Sequence, residues 1–120
     1  MMKAAAASGW DMPLLDSDYL ATATFDDEAL AGELLGLFEG QCDALAPVIA
    51  REGGALQERI DAAHTLKGGA RAIGARAVAD AAERVESGLR SEGVLPRAEW
   101  ARLETVIQET RAVIARRGAA

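Results

Sequence analysis

The sequence predicts an all-α protein: an antiparallel up-down four-helix bundle with a short extra N-terminal helix. Apolar residues recur three or four positions apart in four separate segments, which is the spacing of helices with one buried face. The apolar half of the composition is dominated by 27 alanines, which favours closely packed helices over a sheet. Turns of only a few residues join the segments, so consecutive helices are expected to run antiparallel.

Length, charge and cysteine content exclude several classes of protein. The 120 residues suffice for one hydrophobic core, and a net charge of -6 argues against non-specific nucleic-acid binding. Cys42 has no second cysteine to pair with, and one histidine plus one cysteine cannot make an ordinary metal site. No segment resembles a secretory signal or a membrane span, so we expect a cytoplasmic protein without a membrane anchor.

The N-terminal part of the chain divides at Pro13. Residues 1–12 are predicted to form a flexible arm, and residues 13–118 the helical domain. A short first helix is expected to start near Asp16 or Ser17, because these residue types cap helices and apolar residues follow.

The second helix is predicted to start at Thr24, whose hydroxyl can cap the free amides ahead of three acidic residues. Pro47 is expected to kink or break this helix, and Gly53-Gly54 to end it. Its apolar positions are Leu30, Leu34, Leu37, Phe38, Cys42, Leu45 and Ile49.

Three further helices complete the prediction. One spans about residues 55–72 and stops near Gly74, and the next spans residues 76–90. The last begins at Pro96, a residue tolerated in the first helical position, and is expected to stop at Gly118. Its three-four apolar stripe is interpreted as core packing rather than a dimer seam, so we expect a monomer.

The helix of residues 55–72 contains His64, the one histidine of the sequence, and two adjacent glycines that each cost about 1 kcal/mol in a helix interior. Such a departure from local propensity is typical of a functional site. Helical spacing places His64, Gly68 and Arg71 on a solvent face beside Asp61. The core stripe of this helix is Leu56, Ile60, Ala63, Leu66, Ala70 and Ile73, with Lys67 at the border.

These neighbours suit a histidine that carries a phosphoryl group. A neutral imidazole nitrogen is nucleophilic near neutral pH. The ammonium of Lys67, at position i+3, can neutralise phosphoryl oxygens. Gly68, at position i+4, removes the side chain that would cover the imidazole nitrogen, so a partner can approach.

The motif His64-x-Leu66-Lys67-Gly68, followed by Ile73-Gly74-Ala75, resembles the signature of the histidine-containing phosphotransfer (HPt) domain of bacterial two-component phosphorelays. Phe38 upstream and Val85-Glu86 downstream also agree with the family pattern. The similarity spans about residues 15–93. Gly69 departs from the small side chain that is frequent there, and we expect it to loosen the helix.

The resemblance implies a phosphocarrier rather than an enzyme. His64 would accept a phosphoryl group from the aspartate of a response-regulator receiver domain and pass it to another receiver. A hybrid histidine kinase is a further expected partner. The partner would supply Mg²⁺, so the chain needs no cofactor. The residues expected to contribute to receiver docking are Asp61, Arg71, Ala75, Gln41 and Glu86.

Two alternative functions are compatible with the same residues. The chain could be an HPt-like adapter that binds a receiver or kinase without carrying phosphate, or, less favoured, an enzyme using His64 as a general base. Arg71 is equally compatible with a solvated surface charge. Glu86 is compatible with a position near His64 or with a solvated glutamate.

Overall fold

The computed structural model describes residues 13–119, with the backbone alone for Ala119, so the predicted arm at residues 1–12 lies outside them. The described residues contain helices and no strand, which confirms the all-α prediction. The five helices are α1 (Ser17–Ala23), α2 (Glu28–Ala50), α3 (Leu56–Ala72), α4 (Arg76–Glu92) and α5 (Arg97–Ala119).

The turn between α1 and α2 differs from the prediction. Thr24 does not cap α2, because its hydroxyl donates a hydrogen bond to the carbonyl oxygen of Leu20 at 2.8 Å and so closes α1. Asp27 caps α2 instead. Phe25 and Asp26 lie between them in left-handed backbone conformations, with φ of 55° and 60°. The expectation for Thr24 was wrong because Asp27 is an equally good cap, three residues further on.

Neither Pro47 nor Gly118 ends a helix. Pro47, which was expected to kink or break α2, lies inside α2, and the helix continues to Ala50. A proline removes only its own N–H donor, and here it stands in the last turn, where few helical bonds remain to be made. Gly118 lies within α5 rather than after it. Pro96 directly precedes α5, and its carbonyl oxygen accepts a hydrogen bond from the amide of Trp100 at 2.9 Å.

Gly74 joins α3 to α4 and attaches α1 to this turn. Its φ of +80° favours glycine, and its carbonyl oxygen accepts a hydrogen bond from the amide of Asp16 at 2.9 Å. A Cβ on Gly74 would lie 3.1 Å from the carbonyl oxygen of Asp16. The Asp16 carboxylate caps α1 by accepting from the amide of Tyr19, and it also accepts two hydrogen bonds from Arg76. The first helix is therefore fixed against the turn that ends α3.

The core lies among the helices and is built largely from small side chains. In α3 the predicted stripe is buried apart from Leu56, which is 39% exposed at the first helical position. In α2, Leu37 is 67% exposed, whereas its neighbour Phe38 is buried. The exposure of Leu37 contradicts its predicted core position. The buried apolar residues of α2 are Ala31, Leu35, Phe38, Cys42 and Ile49.

In the ion pairs between helices, later residues of one helix pair with earlier residues of the other. Between α3 and α4, His64 pairs with Glu86, whereas the later Arg71 pairs with the earlier Glu83. The same reversal links α2 and α5, where Glu28 pairs with Arg117 and residues 39 and 43 pair with Arg111. Within residues 13–119, none of the helices has the length and apolar character that a membrane span requires.

Candidate functional site

His64 lies near the middle of α3 with 63% of its side chain exposed. The register of the helix explains this exposure. Ala63, Leu66 and Ala70 are fully buried and define the inner face, so a residue one step after Ala63 is turned by about 100° toward solvent. The predicted exposure of the imidazole is therefore seen in the structure.

The carboxylate of Glu86 lies beneath the imidazole and joins three basic side chains. Its Oε2 lies 3.1 Å from Nδ1 of His64 and 2.9 Å from Nη2 of Arg90. Its Oε1 lies 2.9 Å from Nζ of Lys67. The Glu86 side chain is only 7% exposed, so this contact between α3 and α4 is largely removed from water. Of its two open interpretations, the position near His64 is the one the structure shows.

Burial of Glu86 by itself would raise the pKa of its carboxyl. Hydrogen bonds from Lys67, Arg90 and His64 outweigh burial and lower this pKa from 4.5 to about 2. Glu86 is therefore a carboxylate at neutral pH and can only accept hydrogen bonds. In a neutral imidazole, the contact with Glu86 assigns the proton to Nδ1 and leaves the lone pair on Nε2.

The two glycines after Lys67 have different roles. A Cβ on Gly68 would meet no atom of the described residues within 4 Å, so the surface next to His64 is open there. A Cβ on Gly69 would collide with the side-chain oxygen of Gln41. Gly69 therefore allows the side chain of Gln41, on α2, to lie directly against α3. The expectation that Gly69 only loosens the helix overlooked this contact.

The residues expected to form the docking surface do not all lie on it. Asp61 and Arg71 are exposed beside His64 on α3, and Gln41 is half-buried over Gly69. Ala75 is fully buried, so its inclusion was wrong. Ala75 lies beyond the end of α3, as the N-cap residue of α4, and the packing of this turn covers it.

Glu86 is also no part of an exposed docking surface, because the whole residue is only 6% exposed. Its place is below the imidazole. Arg71 forms an ion pair with Glu83 at 2.9 Å, with both side chains more than half exposed. Its alternative interpretation as a solvated surface charge therefore remains compatible with the structure.

Sequence reasoning missed Arg90. It lies four residues after Glu86 on α4, which is the spacing at which a glutamate and an arginine on one helix face each other. That spacing could have identified Arg90 once Glu86 was considered near the histidine. Within residues 13–119, no three histidine, cysteine, aspartate or glutamate side chains are grouped so as to hold a metal ion.

In a comparison with known families, the family model described as Hpt domain matches residues 33–113, more than half of the chain. The sequence matches no curated protein and no solved structure. The matched residues include all of α3 with His64 and all of α4 with Glu86. The chain therefore belongs to the Hpt domain family, whose members are phosphocarrier modules of histidine phosphorelays.

Proposed function

We propose that His64 is the phosphoacceptor, taking a phosphoryl group from the aspartyl phosphate of one receiver domain and passing it to the aspartate of another. The observation that carries this proposal is the exposed imidazole whose Nδ1 contacts the buried carboxylate of Glu86. This contact orients the ring and leaves Nε2 as the nucleophilic nitrogen. The family's role in phosphorelays supports the same chemistry.

In the proposed step, the lone pair of Nε2 attacks phosphorus and the P–O bond to the receiver's aspartate breaks. The aspartate leaves as a carboxylate, and the new N–P bond places positive charge on the imidazole ring. Glu86, which keeps its negative charge, accepts the Nδ1 hydrogen bond and stabilises the ring charge. Transfer to the second receiver reverses these bond changes.

Lys67 is proposed to neutralise the phosphoryl oxygens. Its Nζ lies 2.9 Å from Glu86, and the side chain is 14% exposed. An ammonium has three donors on a flexible stem, so Lys67 can contact a phosphoryl group without a rigid geometry. Phosphoryl transfer depends mainly on positioning and charge neutralisation, and the partner's Mg²⁺ is expected to supply the rest.

Receiver docking is proposed to use the exposed surface around His64. The open space over Gly68 gives access to the ring, with Asp61 and Arg71 on the same helix and Gln41 on α2. We add Leu37 to this surface because it is a large apolar side chain, 67% exposed, one helical turn before Gln41. We further infer that α2 to α5 form an antiparallel up-down bundle, with α1 at the α3–α4 turn.

The test is incubation of the purified chain with a receiver domain carrying labelled aspartyl phosphate. Wild type should gain acid-labile, alkali-stable label, and His64→Gln should gain none while keeping its helical circular dichroism spectrum. Labelling of His64→Gln would refute the assignment.

Two further variants test the roles of the neighbours. Lys67→Ala should slow transfer, and an unchanged rate would remove its proposed role. Gly68→Gln should block docking sterically, with Gly118→Gln as the control, because Gly118 is an exposed glycine on α5, outside the proposed surface, that also has open space around it. Receiver binding by wild type without any labelling would favour the adapter alternative over phosphotransfer.

A further inference from the structure

The end of the molecule formed by the α2–α3 and α4–α5 turns contains a cavity of about 490 Å³. Its wall includes three glycines and three charged side chains. Glu52 and Arg97 are exposed and pair with each other at 3.1 Å. The third charged residue, Arg59, is only 6% exposed. The residues lining the cavity are Glu52, Gly53, Gly54, Leu56, Arg59, Gly93, Val94, Leu95 and Arg97.

Arg59 is a buried cation whose charge has no ionic partner among the described residues. Its Nε donates a hydrogen bond to the carbonyl oxygen of Ile49 at 2.9 Å, in the last turn of α2. Its Nη2 is buried and has no hydrogen-bond partner in the described part of the chain. Capping α2 requires only one donor of the guanidinium. A buried cation with unused donors is unfavourable unless an anion completes it.

The N-terminus of α3 adds further free donors at the same cavity. The N-cap residue is Ala55, and no side chain caps the helix. The first amides of α3 therefore lack the partners that a serine or aspartate would supply. These amides and the positive end of the helix dipole favour a negatively charged group beside Leu56, which lines the cavity.

We propose that this cavity binds a small oxyanion, a phosphate or a carboxylate, held by the guanidinium of Arg59, which lines it, and by the first amides of α3. Of the charged lining residues, Glu52 is already neutralised by Arg97, so the charge of Arg59 remains for the ligand. Glu58 and Glu92 are close in sequence, but both are exposed and neither lines the cavity. Both kinds of oxyanion suit a guanidinium, whose N–H donors match their oxygens.

This site is separate from His64. Arg59 precedes His64 by five residues on α3, which turns it by about 140° around the helix axis. The proposal therefore does not depend on phosphotransfer, and Arg59→Gln should leave the labelling of His64 unchanged.

The test is a titration of the full ¹⁵N-labelled chain with sodium phosphate and, separately, with sodium succinate, at constant ionic strength set by sodium chloride. We expect saturable shifts of the Gly54 and Leu56 amide signals and of the Arg59 Nε–H signal. Saturation with phosphate alone, with succinate alone or with both supports the site and identifies the oxyanion. No saturable shift of these signals with either anion overturns it.

Variants connect the binding to the guanidinium of Arg59. Arg59→Gln should raise the dissociation constant at least about tenfold, since it removes a charge-assisted hydrogen bond. Arg84→Gln is the matched control, because Arg84 is an exposed arginine that pairs with Asp80 outside the cavity. Equal binding by Arg59→Gln and wild type overturns the proposal. If Arg59→Gln does not fold, the test rests on the wild-type titration. A saturable shift of the Arg59 Nε–H signal then supports the site, and the absence of such a shift overturns it.

Discussion

Replacing Glu86 with glutamine removes the negative charge under His64 while keeping the shape of the side chain. The carboxyl pKa of Glu86 is lowered from 4.5 to about 2 in the folded protein. This difference corresponds to about 3 kcal/mol of folding free energy at neutral pH. Since Glu86 is almost fully buried, solvent screens this contribution little. We therefore expect Glu86→Gln to lower the free energy of unfolding at pH 7 by up to about 3 kcal/mol.

The pH dependence follows from the direction of the pKa shift. A carboxyl whose pKa is lower in the folded state stabilises the protein above its unfolded pKa, near 4.5 for Glu86. This stabilisation is lost as the pH falls toward 2. Wild type should therefore lose stability progressively between pH 5 and pH 2, and Glu86→Gln should lose much less over the same range.

The assay is urea unfolding followed by circular dichroism at pH 7 and at steps down to pH 3. Glu83→Gln is the matched control, because Glu83 lies one turn earlier on α4 and pairs with Arg71, with both side chains more than half exposed. An exposed pair of this kind contributes about 0–1 kcal/mol. If Glu86→Gln matches wild type in stability at pH 7 and in its acid profile, the reasoning about the buried carboxylate is refuted.

Three other substitutions and one chemical reaction test the packing in and around the site. Gly68→Ala should raise the free energy of unfolding by up to about 1 kcal/mol in urea unfolding, since it improves helix propensity in open space. Gly69→Ala should raise it by less, because the new Cβ displaces the end of the Gln41 side chain from α3. Gly74→Ala should destabilise by about 1 kcal/mol or more in the same assay, because φ is +80° and α1 packs against this turn; an unchanged midpoint would contradict that contact. Burial raises the pKa of the Cys42 thiol to about 11, so a thiol reagent at pH 8 should modify it only after unfolding, and rapid reaction of the native protein would contradict its burial.

The sequence predicted α3 well because its periodicity is unambiguous. Ala63, Leu66 and Ala70 recur at helical spacing, so the phase of the helix and the exposure of His64 follow from the pattern alone. The position of Glu86 beneath the imidazole did not follow from the sequence pattern. It lies next to Val85 at the edge of the apolar stripe of α4, and such a residue can be solvated or buried. The burial of Glu86 depends on whether basic side chains of another helix contact it. The sequence of α4 alone does not contain that information.

The errors arose where several residue types satisfy the same local rule. Thr24 and Asp27 are both good N-caps, and the choice between them depends on a turn with Phe25 and Asp26 at positive φ. Non-glycine residues rarely adopt that conformation, so no propensity rule predicts it. Ala75 is compatible with either exposure or burial, and its burial in the turn between α3 and α4 depends on tertiary packing that no local rule predicts.

The contacts of Glu86 would allow His64, the proposed phosphoacceptor, to be modified without weakening the fold. Lys67 and Arg90 each lie 2.9 Å from this carboxylate, so its negative charge does not depend on the imidazole for compensation. His64 contributes a single hydrogen bond through Nδ1 and is otherwise exposed. A phosphoryl group on Nε2 would leave that hydrogen bond and the ion pair with Arg90 in place. The dependence therefore runs in one direction: the orientation of His64 requires Glu86, whereas the packing of α3 against α4 does not require His64.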